Sequence, residues 1–177
     1  MISLYELSVG TYKQVLGGSI NTMKQGISHF EEQGLDINEM LAMRLTDDMA
    51  ALPFQVNSVK HHSLGAIHGL LQGEFTAPTP LPTMSYLELV GFLELTLKEL
   101  NEITPQSVNS LYGNAMYFRK GEMEIPFSAE SFVQSFSLPN LYFHATTLYN
   151  ILRVAGVPLD KRDYLGAMNI GLPAAAN

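Results

Sequence analysis

Leu138-Pro139-Asn140-Leu141-Tyr142-Phe143-His144-Ala145-Thr146-Thr147-Leu148-Tyr149-Asn150-Ile151-Leu152-Arg153-Val154-Ala155-Gly156 decides the fold of this chain. Asn140, His144, Thr147, Ile151 and Val154 recur at steps of four and three. That period stacks side chains on one face of an α-helix. Gly156 and then Pro158 end the run in the order that stops a helix. The spacing predicts a helix whose inward face carries an amide and an imidazole, Asn140 and His144, one turn apart.

The same period recurs upstream. Leu16, Ile20, Met23, Ile27 and Phe30 form a first stripe, entered through the capping-box pair Ser3 and Glu6 and stopped by Gly34. Gly17 and Gly18 lie inside it, where they allow close approach of a neighbour or a local bend. Asp36 caps a short segment. Thr46-Asp47-Asp48 reads as the cap of a second long helix, with Pro53 inside it predicting a kink or a later start. Its stripe is Leu52, Val56, Val59, Ser63, Ala66 and Leu70, and Gly73 closes it.

Pro78, Pro80 and Pro82 make residues 73–83 an extended connection. Ser85 and Glu88 then cap a third helix with the stripe Tyr86, Leu89, Leu93, Thr96, Leu100 and Ile103, closed by Thr104-Pro105. Residues 115–118 and 122–125, with a turn at Arg119-Lys120-Gly121, predict a small β-hairpin. Ser128 caps a helix through Phe132 and Phe136, which Pro139 interrupts or restarts. The last twenty residues read as a docked turn and a fraying tail, Pro173 to Asn177. The expected fold is all-α: one domain over residues 1–177, an antiparallel four-helix bundle with a β-hairpin excursion before the last helix.

With 46% hydrophobic residues, 177 residues bury a core without staples. No cysteine is present, so disulfides and thiolate chemistry drop out. The start, Met1-Ile2-Ser3-Leu4-Tyr5-Glu6, lacks the pattern of a signal peptide, and no long apolar run spans a membrane. A cytoplasmic protein is the expectation. A net charge of −7 with ten basic residues argues against nucleic acid. Phosphate loops, GxGxxG, GxSxG and HExxH are all missing. The run Lys161-Arg162-Asp163 reads as a solvated turn or a clamp for the tail.

Five histidines remain: His29, His61, His62, His68 and His144. His61 and His62 are adjacent and point about 100° apart on a helix, so at most one of them faces a shared site with His144. On the helical wheel His62 flanks the apolar stripe and His61 lies nearly opposite it. His62 faces inward if one seam is buried, and burial on two sides reverses the choice. Each of these histidines also reads as a hydrogen-bonded core residue. His29 and His68 read as surface or boundary residues. Two histidines and the neutral Asn140 make a poor zinc set, so a metal here is expected to bind weakly.

The stretch from Leu138 to Thr147, then Gly156-Val157-Pro158-Leu159-Asp160-Lys161-Arg162-Asp163-Tyr164-Leu165-Gly166, resembles the C-terminal signature of an uncharacterised family in the DinB/YfiT-like superfamily of four-helix bundles. Leu4-Tyr5, Arg44-Leu45, Asp48-Met49 and Gln55-Val56 match the same pattern. The resemblance covers nearly the whole chain and implies a DinB-like bundle, often a homodimer. Superfamily relatives include metal-dependent thiol transferases and maleylpyruvate isomerase-like enzymes. Those hold a divalent metal through one histidine of the second helix and a histidine pair on the last. Carried onto this sequence, the pair becomes Asn140 and His144, and the second-helix ligand is His61 or His62. His61 stands where the family usually has aspartate. The resemblance therefore implies a degenerate site for a weakly held zinc or nickel ion or a small ligand between the second and fourth helices. The alternative is a non-catalytic dimeric interaction module, with an apolar patch on the first and third helices buried between subunits.

Overall fold

Side-chain caps and left-handed glycines set most of the helix ends. In the computed structural model, which describes residues 2–168 and 170–171, the Ser3 N–H donates to Glu6 Oε2 at 3.0 Å. The Glu6 N–H returns the bond to Ser3 Oγ at 3.2 Å. A π turn, Glu6–Gly10, leads into α1 (Thr11–Gln33), which Gly34 stops with φ 66°. A 3₁₀ turn (Ile37–Ala42) is capped by the Asp36 side chain.

The second helix starts later than Thr46-Asp47-Asp48 suggests. α2 (Leu52–Lys60) has Ala51 at its N-cap and Pro53 in its first turn. Proline is tolerated there because those N–H groups have no intrahelical acceptor. A π turn, His61–Gly65, joins α2 to α3 (Ala66–Gln72), which Gly73 ends with φ 75°. The predicted stripe from Leu52 to Leu70 is buried along this whole rod.

β1 (Glu74–Thr76) follows, within the stretch read as an extended connection. α4 (Tyr86–Glu102) carries the predicted Ser85–Glu88 capping box. α4 ends just before Thr104-Pro105, as expected, and Thr104 also caps the short α5 (Pro105–Asn109). β2 (Ala115–Lys120) and β3 (Met123–Ser128) pair antiparallel, and Arg119 and Lys120 belong to the strand rather than the turn. β1 adds to β2 in parallel, placing Phe75 beside Phe118. The protein is thus mostly helical with a small three-stranded sheet.

α6 (Ala129–Phe132), capped by Ser128, passes through a third π turn, Val133–Ser137, into α7 (Leu138–Val154). The α-helical pattern is interrupted by that π turn and starts again at Leu138, with Pro139 in the first turn of α7, as expected. A proline clashes with the carbonyl four residues back, and the widened π turn just before it gives that carbonyl room. The buried seam of α7 is Leu138, Leu141, Ala145, Thr147, Leu148, Ile151 and Leu152, so Thr147 and Ile151 face inward as expected. Val154, read as inward, is 68% exposed, and Asn140 and His144 lie half-buried at the seam's edge.

α2 packs on α7, and α1 packs on α4, α7 and α8 (Lys161–Leu165). A Cβ on Gly18 would overlap the Tyr164 carbonyl oxygen, so this glycine serves close approach. Asn21 donates to Asp163 at 3.2 Å and Gln14 to the Leu165 carbonyl at 3.0 Å, so residues 161–165 are clamped to the first helix. The predicted tail from Pro173 lies outside the described residues. Among the described residues, no helix is long and apolar enough to cross a membrane.

Candidate functional site

His62 sits in the middle π turn and His144 in the second turn of α7. Their ring centres lie 5.8 Å apart with the planes 12° from parallel. His61 stands 5.3 Å from His62, ring to ring, but its own contacts turn it toward the sheet. It stacks on Phe75 at 4.2 Å and bonds the Thr76 carbonyl at 2.8 Å. His29 packs edge-on against Phe30, and His68 is exposed; neither joins the cluster.

Hydrogen-bond partners fix two of the three tautomers. The Gln55 amide nitrogen donates to the Ala50 carbonyl at 2.8 Å, so its oxygen faces His144. That oxygen accepts from His144 Nδ1 at 2.8 Å. Nδ1 therefore carries the proton and Nε2 the lone pair. The Thr76 carbonyl can only accept, so His61 Nε2 is the protonated nitrogen. His62 differs: it is 6% exposed, and its Nδ1 is buried with no hydrogen-bond partner.

Burial holds the whole cluster neutral. It drives His62 down to about 3, helped by the neighbouring His61 and His144. Burial, with His61 nearby, drives His144 down to about 4. His61 is lowered too, again chiefly by burial. At neutral pH these are imidazoles with free lone pairs rather than cations. The Asn140 amide nitrogen donates back to the Phe136 carbonyl at 2.7 Å, leaving its oxygen as the lone-pair atom.

A cleft of about 160 Å³ opens beside His61 and His62, lined also by Phe75, Phe118, Phe136, Lys120 and Asn140. Larger surface depressions occur around Ile2 and Tyr5, but they bring together no comparable chemistry.

Beneath the cleft runs a buried relay. The Ser137 hydroxyl donates to the His62 backbone carbonyl at 2.8 Å. Its single proton is thereby committed, so the Tyr12 hydroxyl, 2.7 Å away, must donate to Ser137 Oγ. Burial raises the Tyr12 phenol well above its usual range, which keeps that donor protonated. Tyr12 follows the first π turn, His62 lies in the second and Ser137 ends the third. Such turns shift the helical hydrogen-bond pattern by one residue, and they recur at functional sites.

Sequence reasoning did not single out Gln55, Ser137, Tyr12 or Lys120 for this site. The density of phenylalanines near the hairpin was the one visible signal. Gln55 and His144 are 89 positions apart, and nothing local marks them as partners.

The donor set does not make a firm metal site. Two imidazoles bound to one ion at about 2.0–2.1 Å have ring centres roughly 5–6 Å apart, which the His62–His144 spacing meets. Among the described residues, however, no three His, Cys, Asp or Glu side chains gather where an ion could sit. Asn140 supplies a neutral oxygen where a third firm ligand is needed.

The architecture has solved counterparts. The chain is similar to a crystal structure of a DinB family member protein from Shewanella denitrificans, with 24% identity and a TM-score of 0.76 over 96% of both chains. That likeness shows the fold alone. No curated protein matches. The family model described as Domain of unknown function (DUF1993) matches residues 4–165, and the chain belongs to that family.

Proposed function

We propose that His62 and His144, with Asn140, hold a divalent zinc or nickel ion weakly where the middle π turn meets α7, and that the cleft beside His62 is a small-ligand site. The rods α1, α2–α3, α4 and α7 are read as an antiparallel four-helix bundle of DinB type, with the β2–β3 hairpin inserted before the last rod. Lack of cysteine suits a reducing compartment such as the cytoplasm.

The observation that carries the reading is the buried His62 Nδ1 without a partner, beside a second imidazole, His144, whose proton is pinned on Nδ1 by Gln55. A buried polar atom left unpaired costs about 1–3 kcal/mol, so its retention calls for a reason. A bound ion would supply Lewis acidity or an activated water. The chain's own part is to orient His144 through Gln55 and to exclude water with Phe75, Phe118 and Phe136.

Metal analysis and calorimetric titration of the purified protein and of His144→Ala test this. Uptake of zinc or nickel by the wild type, weakened more than about tenfold in the variant, is expected. Equal and negligible uptake by both removes the ion.

A second reading concerns assembly. Leu87 and Leu95 are 59% and 61% exposed on one face of α4, with Gly91 between them and nothing packed on it. This is the third rod, where a homodimer interface was expected, and the reading is a non-catalytic dimeric module. A monomer in sedimentation at concentrations on the order of tens of micromolar counts against it.

A further inference from the structure

The cleft beside His62 has the size and chemistry of a one-ring slot. An apolar cavity of about 150 Å³ holds a benzene molecule. This one measures about 160 Å³, well under the roughly 300–1,000 Å³ of pockets for larger ligands. Its walls are aromatic: the Phe118 and Phe136 ring centres stand 4.8 Å apart, and Phe75 backs both at 6.5 and 6.2 Å. Such walls favour the flat faces and polar edges of another aromatic ring.

The two ends of the slot differ. Lys120, exposed on the last position of β2, is its cation. The neighbouring Arg119 is engaged by Glu74 and Glu124, whereas no ion pair among the described residues uses Lys120. The other end is the nine-tenths-buried imidazole of His62, which lines the slot. A fitting ligand is therefore flat and apolar in the middle, anionic at the outer end and hydrogen-bonding at the inner end.

We infer that the ligand class is a monocyclic aromatic carboxylate, its carboxylate on Lys120, its ring stacked against the touching pair Phe118 and Phe136, and a polar ring substituent on His62. This rests on the reading of the His62 cleft as a ligand site, but it does not require the ion.

The test is titration of 4-hydroxybenzoate into the metal-free full chain, followed by the Phe118, Phe136 and His62 side-chain resonances. Saturable shifts at all three, in the low millimolar range or tighter, are expected of a one-ring ligand. Lys120→Met, at an exposed position whose side chain makes no ion pair among the described residues, should weaken binding about fivefold. 4-Hydroxybenzamide, lacking the charge, should bind the wild type and Lys120→Met equally. No saturation of the wild type overturns the inference, as does equal binding of the acid to both proteins. If zinc or nickel binds at His62 and His144 while the acid does not, this inference falls alone. If the acid binds as described and no metal does, the ion falls and the ligand class stands.

Discussion

The two polar ends of His62 are treated in opposite ways. Its backbone carbonyl faces inward and is tied down by Ser137, which Tyr12 ties in turn, all within the core. Its ring faces the cleft, and there a buried nitrogen goes without a partner. One side is fully satisfied and the other is left open, only a side chain's length away. The contrast separates what holds the fold from what is free to meet a ligand. A rigid floor costs little in function, whereas an open nitrogen costs stability and is worth keeping only for a purpose.

The sharpest way to break the contrast is to make the floor as unsatisfied as the cleft. Ser137→Ala strands the Tyr12 hydroxyl in the core and removes the side-chain bond to the His62 carbonyl, which lies inside the helical run Leu52–Gln72. The stranded phenol and the lost bond cost about 2–3 kcal/mol together. Urea unfolding should show that loss as a lower midpoint with unchanged slope. A loss under about 0.5 kcal/mol would mean that water replaces the hydroxyl and the floor is not rigid.

Acid probes the other side. An unfolded histidine titrates near 6.5, whereas folded His62 and His144 titrate near 3 and 4. Between those values the unfolded chain binds more protons, so stability rises with pH. This contribution is complete above about pH 6.5 and is lost as pH falls toward 4 and then 3. Near pH 5 the two groups together should give a slope of about two protons, and His144→Gln should remove about one of them. An unchanged slope in the variant would show that His144 is not held neutral by burial.

What was legible in the sequence follows from which interactions are local. The Ser3–Glu6 and Ser85–Glu88 boxes, the stops at Gly34 and Gly73 and the hairpin all lie within a few residues, and the local pattern reveals each. The π turns do not announce themselves. A wheel drawn at a constant 100° per residue loses phase where the hydrogen-bond pattern slips by one residue. That is one reason the choice between His61 and His62 stayed open. The misplacement of Val154 has a different cause: the buried seam of α7 runs through Leu141, Ala145 and Leu148, one position beyond the stripe that begins at Asn140. β1 is only three residues between a glycine and three prolines, too short for a strand signal, although it carries Phe75 into the cleft.

A smaller effect sharpens the picture at His144. Gln55→Leu removes the acceptor that holds the Nδ1 proton, at about 1–2 kcal/mol for the bond and the stranded donor. The imidazole is then free to exchange tautomers. Nitrogen NMR of the ring should show one tautomer in the wild type and a mixture in the variant. A single unchanged tautomer would place the orienting group elsewhere.

The smallest expected effect isolates the relay's first link. Tyr12→Phe removes a donor while leaving the Ser137 bond to His62 in place, and the ring still fills its site. Ser137 loses only an acceptor's partner, so the cost should be about 1 kcal/mol, well below that of Ser137→Ala. The His62 ring resonances should stay where they are, because the carbonyl beneath them is still held. If Tyr12→Phe costs as much as Ser137→Ala and also moves those resonances, the three groups act as one cooperative unit. The division between a fixed floor and an open cleft would then have to be redrawn to include the cleft in the same network.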